Sequence, residues 1–305
     1  MINVGIYGAA TPLAGELLRI LVNHPDVMIR CAVDAGFAGC EVTSAHHGLI
    51  GECTLDFSAS LDVEKLDVLY VTVPYDDIKE DLRGMIAGKP ELCVIDLCAT
   101  FSEERERDTF AVYGVPELNR KSLVRGARHA VIPSALESIA TVALLPLAMR
   151  AMIPDILNIR VEAAADILAV QPRGIHDMIR HLASSGAKAF DILLSFAANE
   201  ALGRVMRISC DLALPVPIDN ITDMYEEQYD DHNLTFITGE EVSPNEVEGT
   251  DKCIVSLDKS PEGNLQLRAI ADARMRGGAG DAVHVMNLLM GLYEKTGLAL
   301  KASRY

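Results

Sequence analysis

The sequence lacks the patterns that mark several common classes of protein. Its seven cysteines contain no C-x-x-C pair, and none of its eight histidines stands in an H-E-x-x-H motif. These spacings argue against a disulfide framework and predict no metal site. No apolar run reaches the roughly 18 residues that a membrane-spanning helix needs. The opening "MINVGIYGAA" has neither a basic segment nor a signal-cleavage pattern, so we expect a cytoplasmic protein.

Basic residues are also scarce. The chain has 27 Lys and Arg against 44 Asp and Glu, a net charge of −17. Such a surface repels nucleic acid and anionic membranes on average, which excludes both as expected partners. Aromatic residues make up 5% of the 305 residues, whereas hydrophobic residues make up 50%. This length and composition predict a two-domain globular protein with aliphatic cores. The partner that we expect is a small-molecule substrate or ligand.

The first 130 residues alternate short apolar runs with helical patterns. We predict helices in "AGELLRILVNHP" and "YDDIKEDLRGMIAG", and strands in "INVGIYGA", "VMIRCAVD", "LDVLYVTVP" and "ELCVIDLC". Strands that are apolar on both faces and separated by helices form a parallel sheet with helices on both sides. The N-terminal part is therefore predicted to be Rossmann-like.

The turn after the first strand, "GAATPLAG", is where a Rossmann domain binds the pyrophosphate of a dinucleotide. Gly8 stands at the expected glycine position, although a plain strand-to-helix turn is an alternative interpretation. Asp34 ends the second strand, where a carboxylate accepts hydrogen bonds from the adenosine ribose and repels a 2′-phosphate. If a nucleotide binds, Asp34 favours NAD over NADP.

The pattern changes after residue 130. The stretch "VIPSALESIATVALLPL" at 131–147 predicts a strand, a Pro-Ser turn and a helix. We interpret "GIHDMIRHLASSGAKAFDILL" as helical, "DMYEEQYDDH" as a solvated helix face, and "RGGAGDAVHVMNLLMGLYEKTGL" as a Gly-rich turn opening a helix. The predicted strands "VMRISCDLAL", "LTFITG", "KCIVSLDK" and "LQLRAIADA" indicate an α+β domain with a largely antiparallel sheet, which commonly carries a dimer interface.

Three stretches together resemble the N-acetyl-gamma-glutamyl-phosphate reductases, relatives of the aspartate-semialdehyde dehydrogenases. They are "GAATPLAGELLRILVNHPDV", "VIDLCATF" with "VYGVPELNR", and "RGGAGDAVHVMNLLMGLYEKTGL". The resemblance implies an α/β Rossmann-like domain over 1–132, completed by a C-terminal helix at 277–305. It also implies an α+β substrate and dimerisation domain over 133–276 with a mostly antiparallel sheet, and a homodimer or homotetramer.

The resemblance further implies NADPH-dependent reductive dephosphorylation of an acyl phosphate to a semialdehyde in arginine biosynthesis. That reaction uses a thiolate to form a thioacyl-enzyme and a histidine to manage protons. The expected cofactor is NAD or NADP, bound by Gly8, Thr11, Pro12, Leu13, Ala14, Asp34, Pro74, Gly277 and Gly278.

The chain departs from the family at the reactive groups. Aligned with A-N-P-G-C-Y-P-T-A, Ser134 takes the glycine position and Ala135 takes the cysteine position. The histidine motif has no counterpart in "SFAANEALGRVMRIS", and S-G-V-S-G-A-G-R is matched at most by Arg173-Gly174. In the nucleotide loop, Thr11 and Ala14 replace two glycines.

Two side chains are candidates to replace the missing thiol. Cys98 follows a parallel strand and would face the nicotinamide, provided that a cationic neighbour lowers its pKa. Ser134 would need a base, for which His129, His176 and His181 are candidates. Three functions therefore stay open: a reductase with rearranged catalytic groups, a ligand-binding or regulatory paralogue, and an oxidoreductase that forms no covalent intermediate.

Overall fold

The computed structural model describes residues 1–74, 80–98, 111–169, 175–214 and 216–302. The chain divides into two compact units. Unit 1 is Met1–Pro133 with Gly278–Ala299, and unit 2 is Ser134–Gly277 with the residues from Leu300 onwards. The helices are α1 Pro12–Leu21, α2 Glu80–Gly88, α3 Pro116–Val124, α4 Ala135–Met149, α5 Ala165–Leu168, α6 Ile175–Ser184, α7 Ile218–Tyr229 and α8 Gly280–Leu289. None of these helices is long and apolar enough to cross a bilayer.

Unit 1 contains a seven-stranded sheet in which every pairing is parallel. Its strands are β1 Ile2–Tyr7, β2 Val27–Val33, β3 Phe57–Ser58, β4 Val68–Val71, β5 Cys93–Asp96, β6 Ala111–Tyr113 and β7 His129–Val131. The order β3-β2-β1-β4-β5-β7-β6 places β1 and β4 side by side at the point where the winding reverses. Ligands of open α/β sheets bind at such a point, beyond the carboxyl ends of the strands. The predicted Rossmann-like architecture is confirmed.

The interior of unit 1 is aliphatic. All four residues of β4 and all four of β5 are buried, as expected for strands covered on both faces. Helix α8 is buried from Gly280 to Leu288 and packs on α1, α3 and β5. The segment that follows α8 is fastened by Asn287, whose Nδ2 donates to the carbonyls of Glu294 and Thr296. The C-terminal helix is thus an integral part of this unit.

Unit 2 contains a six-stranded sheet in the order β11-β12-β13-β10-β8-β9. The strands are β8 Ile156–Ala163, β9 Asp191–Ala198, β10 Val205–Leu212, β11 Thr235–Thr238, β12 Cys253–Lys259 and β13 Leu265–Asp272. Three pairings are antiparallel, whereas β8–β9 and β11–β12 are parallel. The sheet is therefore mixed, with the antiparallel pairings at its centre.

One predicted helix is wrong in its second half. The stretch from Ile175 to Ser184 is α6, but "DILL" from Asp191 begins β9. Gly186 ends the helical region at a φ of 130°, which L side chains rarely adopt. Exposed and half-buried residues then largely alternate along β9, as expected for a strand at the edge of a sheet.

Helix α7, which ends at Tyr229, contains most of the acidic stretch 223–232 that we interpreted as a solvated face. Its acidic residues are exposed, but Tyr225 and Tyr229 are buried against α4. The Tyr229 hydroxyl donates to the Val142 carbonyl at 2.6 Å. Since Pro146 has no N–H, that carbonyl lacks its usual donor four residues ahead. The tyrosine replaces the missing helical hydrogen bond, so only part of the stretch is a solvated face.

Candidate nucleotide site and the start of helix α4

The turn after β1 is built around Gly8. Its φ is +83°, and a Cβ there would lie 2.3 Å from Cγ1 of Val73. The amides of Gly8 and Ala9 both donate to the carbonyl of Val33, the last residue of β2. The loop is therefore hydrogen-bonded to the end of β2 and packs closely against Val73, two residues after β4.

Two features reduce the number of free amides in the first turn of α1. Thr11 is the N-cap, and its Oγ1 accepts from the Ala14 amide at 3.2 Å. Pro12 has no N–H to offer. Among the described residues, the amides of Ala10 and Leu13 have no hydrogen-bond acceptor. Two backbone donors thus stand at the helix N-terminus, where an anion is favoured.

Asp34 lies where the sequence places it, directly after β2. Its Oδ1 accepts from the Gly36 amide at 3.0 Å, which fixes one carboxylate oxygen. Asp34 is one residue beyond Val33, whose carbonyl accepts from the loop amides, so the backbone of Asp34 lies next to the loop. Phe37, 39% exposed, packs on Phe57 with a ring separation of 5.5 Å.

His46 is a residue that the sequence analysis did not select. Its Nε2 lies 2.7 Å from the carbonyl oxygen of Ala9, and its ring packs against Gly15 in the first turn of α1. Two adjacent histidines in a loop are usually both solvated, yet His46 is half-buried and His47 is exposed. The sequence signal that could have pointed to this contact is Gly15, because a glycine inside a helix leaves room for a close neighbour.

The remaining predicted cofactor residues lie apart from this loop in sequence. Pro74 is exposed and follows β4 by three residues in unit 1. Gly277 and Gly278 lie in the π-helical turn Met275–Ala279 that precedes α8. The structure gathers Gly8, Thr11, Pro12, Leu13, Ala14 and Asp34 around one turn, and it adds His46.

The predicted strand, turn and helix at 131–147 are all present. Strand β7 ends at Val131, and Ser134 is the N-cap of α4. Ser134 Oγ donates to Oε2 of Glu137 at 2.9 Å, and the Ser134 amide donates to the same oxygen at 3.0 Å. The Glu137 amide in turn donates to Ser134 Oγ at 3.4 Å, which completes a capping box. Among the described residues, this hydroxyl has no side-chain partner other than the buried Glu137.

Ala135 is the first residue of α4. It is half-buried, and its backbone contacts Gly277, where an added Cβ would lie 2.3 Å from the Ala135 nitrogen. Gly277 has a φ of +66°, so both its conformation and its surroundings call for glycine. A thiolate at the first position of a helix is stabilised by the helix dipole, but a methyl group has no such chemistry.

The other candidate reactive groups are placed as follows. Cys98 lies two residues beyond β5 and its amide donates to Asp96 Oδ1 at 3.0 Å. His129 begins β7 in unit 1, and His181 lies in α6 of unit 2. Arg173 and Gly174 lie outside the described residues, as does the side chain of His176.

Comparison with known proteins identifies the family. The model of the semialdehyde dehydrogenase NAD-binding domain matches residues 3–125. The N-acetyl-gamma-glutamyl-phosphate reductases of Parabacteroides distasonis and Bacteroides fragilis are each 31% identical to the chain, over 100% of both proteins. The chain belongs to the N-acetyl-gamma-glutamyl-phosphate reductase family. The resemblance inferred from three short stretches is thereby confirmed over the whole length.

Solved structures agree with the fold of this reductase-family chain. Aspartate semialdehyde dehydrogenase with NADP from Candida albicans matches with a TM-score of 0.69 at 12% identity, covering 95% of the chain and 98% of its own. The Vibrio cholerae aspartate semialdehyde dehydrogenase II complexed with ASA matches with a TM-score of 0.64 at 14% identity, covering 96% and 99%. At such identities these matches establish the fold alone, which is that of the semialdehyde dehydrogenases.

Proposed function

We propose that the chain is an NAD(P)-dependent oxidoreductase for a small acyl phosphate or semialdehyde, working without a thioacyl intermediate at residue 135. The observation that carries the proposal is the 31% identity to named N-acetyl-gamma-glutamyl-phosphate reductases over the full length of both chains. A parallel sheet with a Gly8 turn at its switch point supports the dinucleotide part of the proposal.

The residues present fit a dinucleotide. The amides of Ala10 and Leu13, which have no acceptor within the described part of the chain, stand at the N-terminus of α1, where they suit the two phosphates. Asp34 follows Val33, to which this turn is hydrogen-bonded, and a carboxylate at the end of the second strand suits ribose hydroxyls. When bound, the nicotinamide ring supplies or accepts the hydride, and the chain's own residues bind and orient the rest of the molecule.

The charge near Asp34 favours NAD over NADP. A 2′-phosphate at this place needs a cationic partner, and the sequence has no Lys or Arg between residues 31 and 64. Replacing Asp34 with serine is therefore expected to raise the affinity for NADPH and to lower the affinity for NADH. Measuring both dissociation constants tests this preference, and a wild type that prefers NADPH contradicts it.

The second candidate function is a ligand-binding or regulatory paralogue. The start of α4 favours it, because Ala135 has no nucleophile and the Ser134 hydroxyl is held by Glu137. In this case unit 1 retains the nucleotide and unit 2 retains the small molecule, but no hydride transfer follows.

Two assays separate these functions. Calorimetric titration with NADH and NADPH tests the site in unit 1, and failure of both to bind at millimolar concentration removes the oxidoreductase proposal. Reduction of N-acetylglutamyl phosphate, followed by the loss of NADH or NADPH absorbance, tests turnover. Binding without turnover on this and related acyl phosphates supports the paralogue. Turnover by the wild type excludes the paralogue.

We also propose that unit 1 is the nucleotide domain and unit 2 the substrate and dimerisation domain, in a homodimer or homotetramer. One face of the unit 2 sheet is covered by α4, which packs on β10, β12 and β13. The register places Asn158, Leu193, Arg160 and Ser195 together on one face, and Leu193 is 56% exposed. Light scattering of a Leu193→Asp variant tests whether a second copy covers this face. A wild-type monomer contradicts the proposal.

The expected location stays the cytoplasm. All seven cysteines are free thiols, which supports a reducing compartment.

A further inference from the structure

The imidazole of His46 is fixed on the nucleotide loop by two contacts. Its Nε2 lies 2.7 Å from the carbonyl oxygen of Ala9. A Cβ at Gly15 would lie 2.7 Å from its Nδ1, so the ring fills the space that this glycine leaves open. Because a carbonyl oxygen only accepts, Nε2 carries a hydrogen and donates it.

The peptide unit between Ala9 and Ala10 is oriented by this hydrogen bond. The described residues contain no cis peptide bond, so the carbonyl of Ala9 and the amide of Ala10 point in opposite directions. With the carbonyl held by His46, the Ala10 N–H points away from the imidazole. That amide is one of the two at this helix N-terminus with no acceptor among the described residues.

We infer that His46 is a positioning residue for the diphosphate of the bound dinucleotide. Pro12 has no N–H, and the Ala14 amide donates to Thr11 Oγ1. The amides that the loop can offer to a diphosphate are therefore those of Ala10 and Leu13. His46 sets the direction of one of these two donors. The inference rests on the proposed function, because it requires that unit 1 binds a dinucleotide.

Gly15 gives an independent way to test the same contact. Alanine is favoured over glycine inside a helix, so Gly15→Ala supports α1 locally while its Cβ displaces the His46 ring. A ring with a purely structural role would change stability alone. If His46 positions the donor, then displacing its ring by Gly15→Ala and removing its ring by His46→Ala both lower the affinity for the diphosphate.

The experiment is calorimetric titration of NADH, ADP and adenosine into the full-length chain. The variants are His46→Ala, His46→Gln and Gly15→Ala, with His47→Ala as the control because His47 is the exposed neighbour. Loss of one oriented hydrogen bond is expected to weaken NADH and ADP by about three- to tenfold. Adenosine, which has no phosphate, is expected to bind each variant as it binds the wild type. His46→Gln retains a donor and is expected to keep most of the affinity.

The outcomes separate the two levels of the proposal. A wild type that binds none of NADH, NADPH and ADP overturns the proposed function and this inference with it. A wild type that binds NADH and ADP, with ADP affinity unchanged in His46→Ala and Gly15→Ala, overturns the inference alone. If His46→Ala does not fold, His46→Gln and Gly15→Ala decide the question. A lower affinity for ADP in Gly15→Ala, together with a retained affinity in His46→Gln, supports the role. Equal losses in His47→Ala contradict it.

Discussion

Replacing Ser134 with alanine is expected to destabilise unit 2 rather than to remove a nucleophile. The substitution deletes the N-cap of α4, which typically contributes about 1 kcal/mol. It also removes the hydroxyl that donates to Glu137 at 2.9 Å, leaving a carboxylate on a 2%-exposed residue with one donor fewer. Since the two effects share one hydroxyl, we expect a combined cost of about 2 kcal/mol.

The measurement is the thermal unfolding midpoint of the full chain, followed by circular dichroism. A loss of about 2 kcal/mol lowers the midpoint by about 4–8 °C for a unit of roughly 150 residues. Ser134→Thr keeps a capping hydroxyl and serves as the matched control, with a smaller expected shift. A double-mutant cycle with Glu137→Ala should give a coupling of about 1 kcal/mol.

Two results would refute this reasoning. Strictly additive effects of Ser134→Ala and Glu137→Ala would mean that the capping box contributes no coupling energy. A Ser134→Ala variant with an unchanged midpoint but abolished turnover would assign the hydroxyl a chemical role.

Three further substitutions or conditions test the packing. Gly277→Ala places a Cβ 2.3 Å from the backbone at the start of α4, at a residue whose φ is +66°. We therefore expect the free energy of unfolding, measured in urea, to fall by about 3 kcal/mol. An unchanged urea midpoint contradicts the close contact. Tyr229→Phe leaves the buried carbonyl of Val142 in α4 without its donor. The free energy of unfolding should fall by about 1–3 kcal/mol in the same measurement. An unchanged value means that water replaces the hydroxyl. Burial raises the pKa of the Cys31 thiol to about 11, so iodoacetamide at pH 8 should label the exposed Cys40 first, with Cys31 reacting only as the pH approaches that value. A thiol with a raised pKa stabilises the fold fully below its unfolded pKa of about 8.5, and this contribution is lost as the pH rises through about 11. Equal labelling of both thiols at pH 8 would contradict the burial of Cys31.

The parts of the fold that the sequence predicted are those set by local rules. Thr11 followed by Pro12 is typical of a helix N-terminus, and α1 begins at Pro12. Ser134 followed three residues later by Glu137 is a capping-box pattern, and α4 begins at Ala135. Because β4 and β5 are buried on each face, each overlaps a run of four or more apolar residues, and these runs predicted the two strands.

The features that were missed depend on residues far apart in the chain. His46 meets Ala9 across 37 positions, and no local pattern marks that contact. Strand β9 pairs in parallel with β8, and the short apolar run at 192–194 suits a helix as well as a strand. Strands as short as β3, with two residues, are too brief to give a period. The predicted roles of Cys98, Pro74, Gly277 and Gly278 remain predictions.

Since Ala135 stands at the position of the family's cysteine, we expect the wild-type chain to react without a covalent acyl adduct at any residue. Intact-protein mass spectrometry after incubation with N-acetylglutamyl phosphate tests it, with an Ala135→Cys variant as the positive control for the position. We predict an unmodified mass for the wild type and an acylated mass for the variant, whose thiol stands at the first residue of α4. A wild-type mass increased by one acyl group, at any residue, would contradict the proposal that the reaction proceeds without a covalent intermediate.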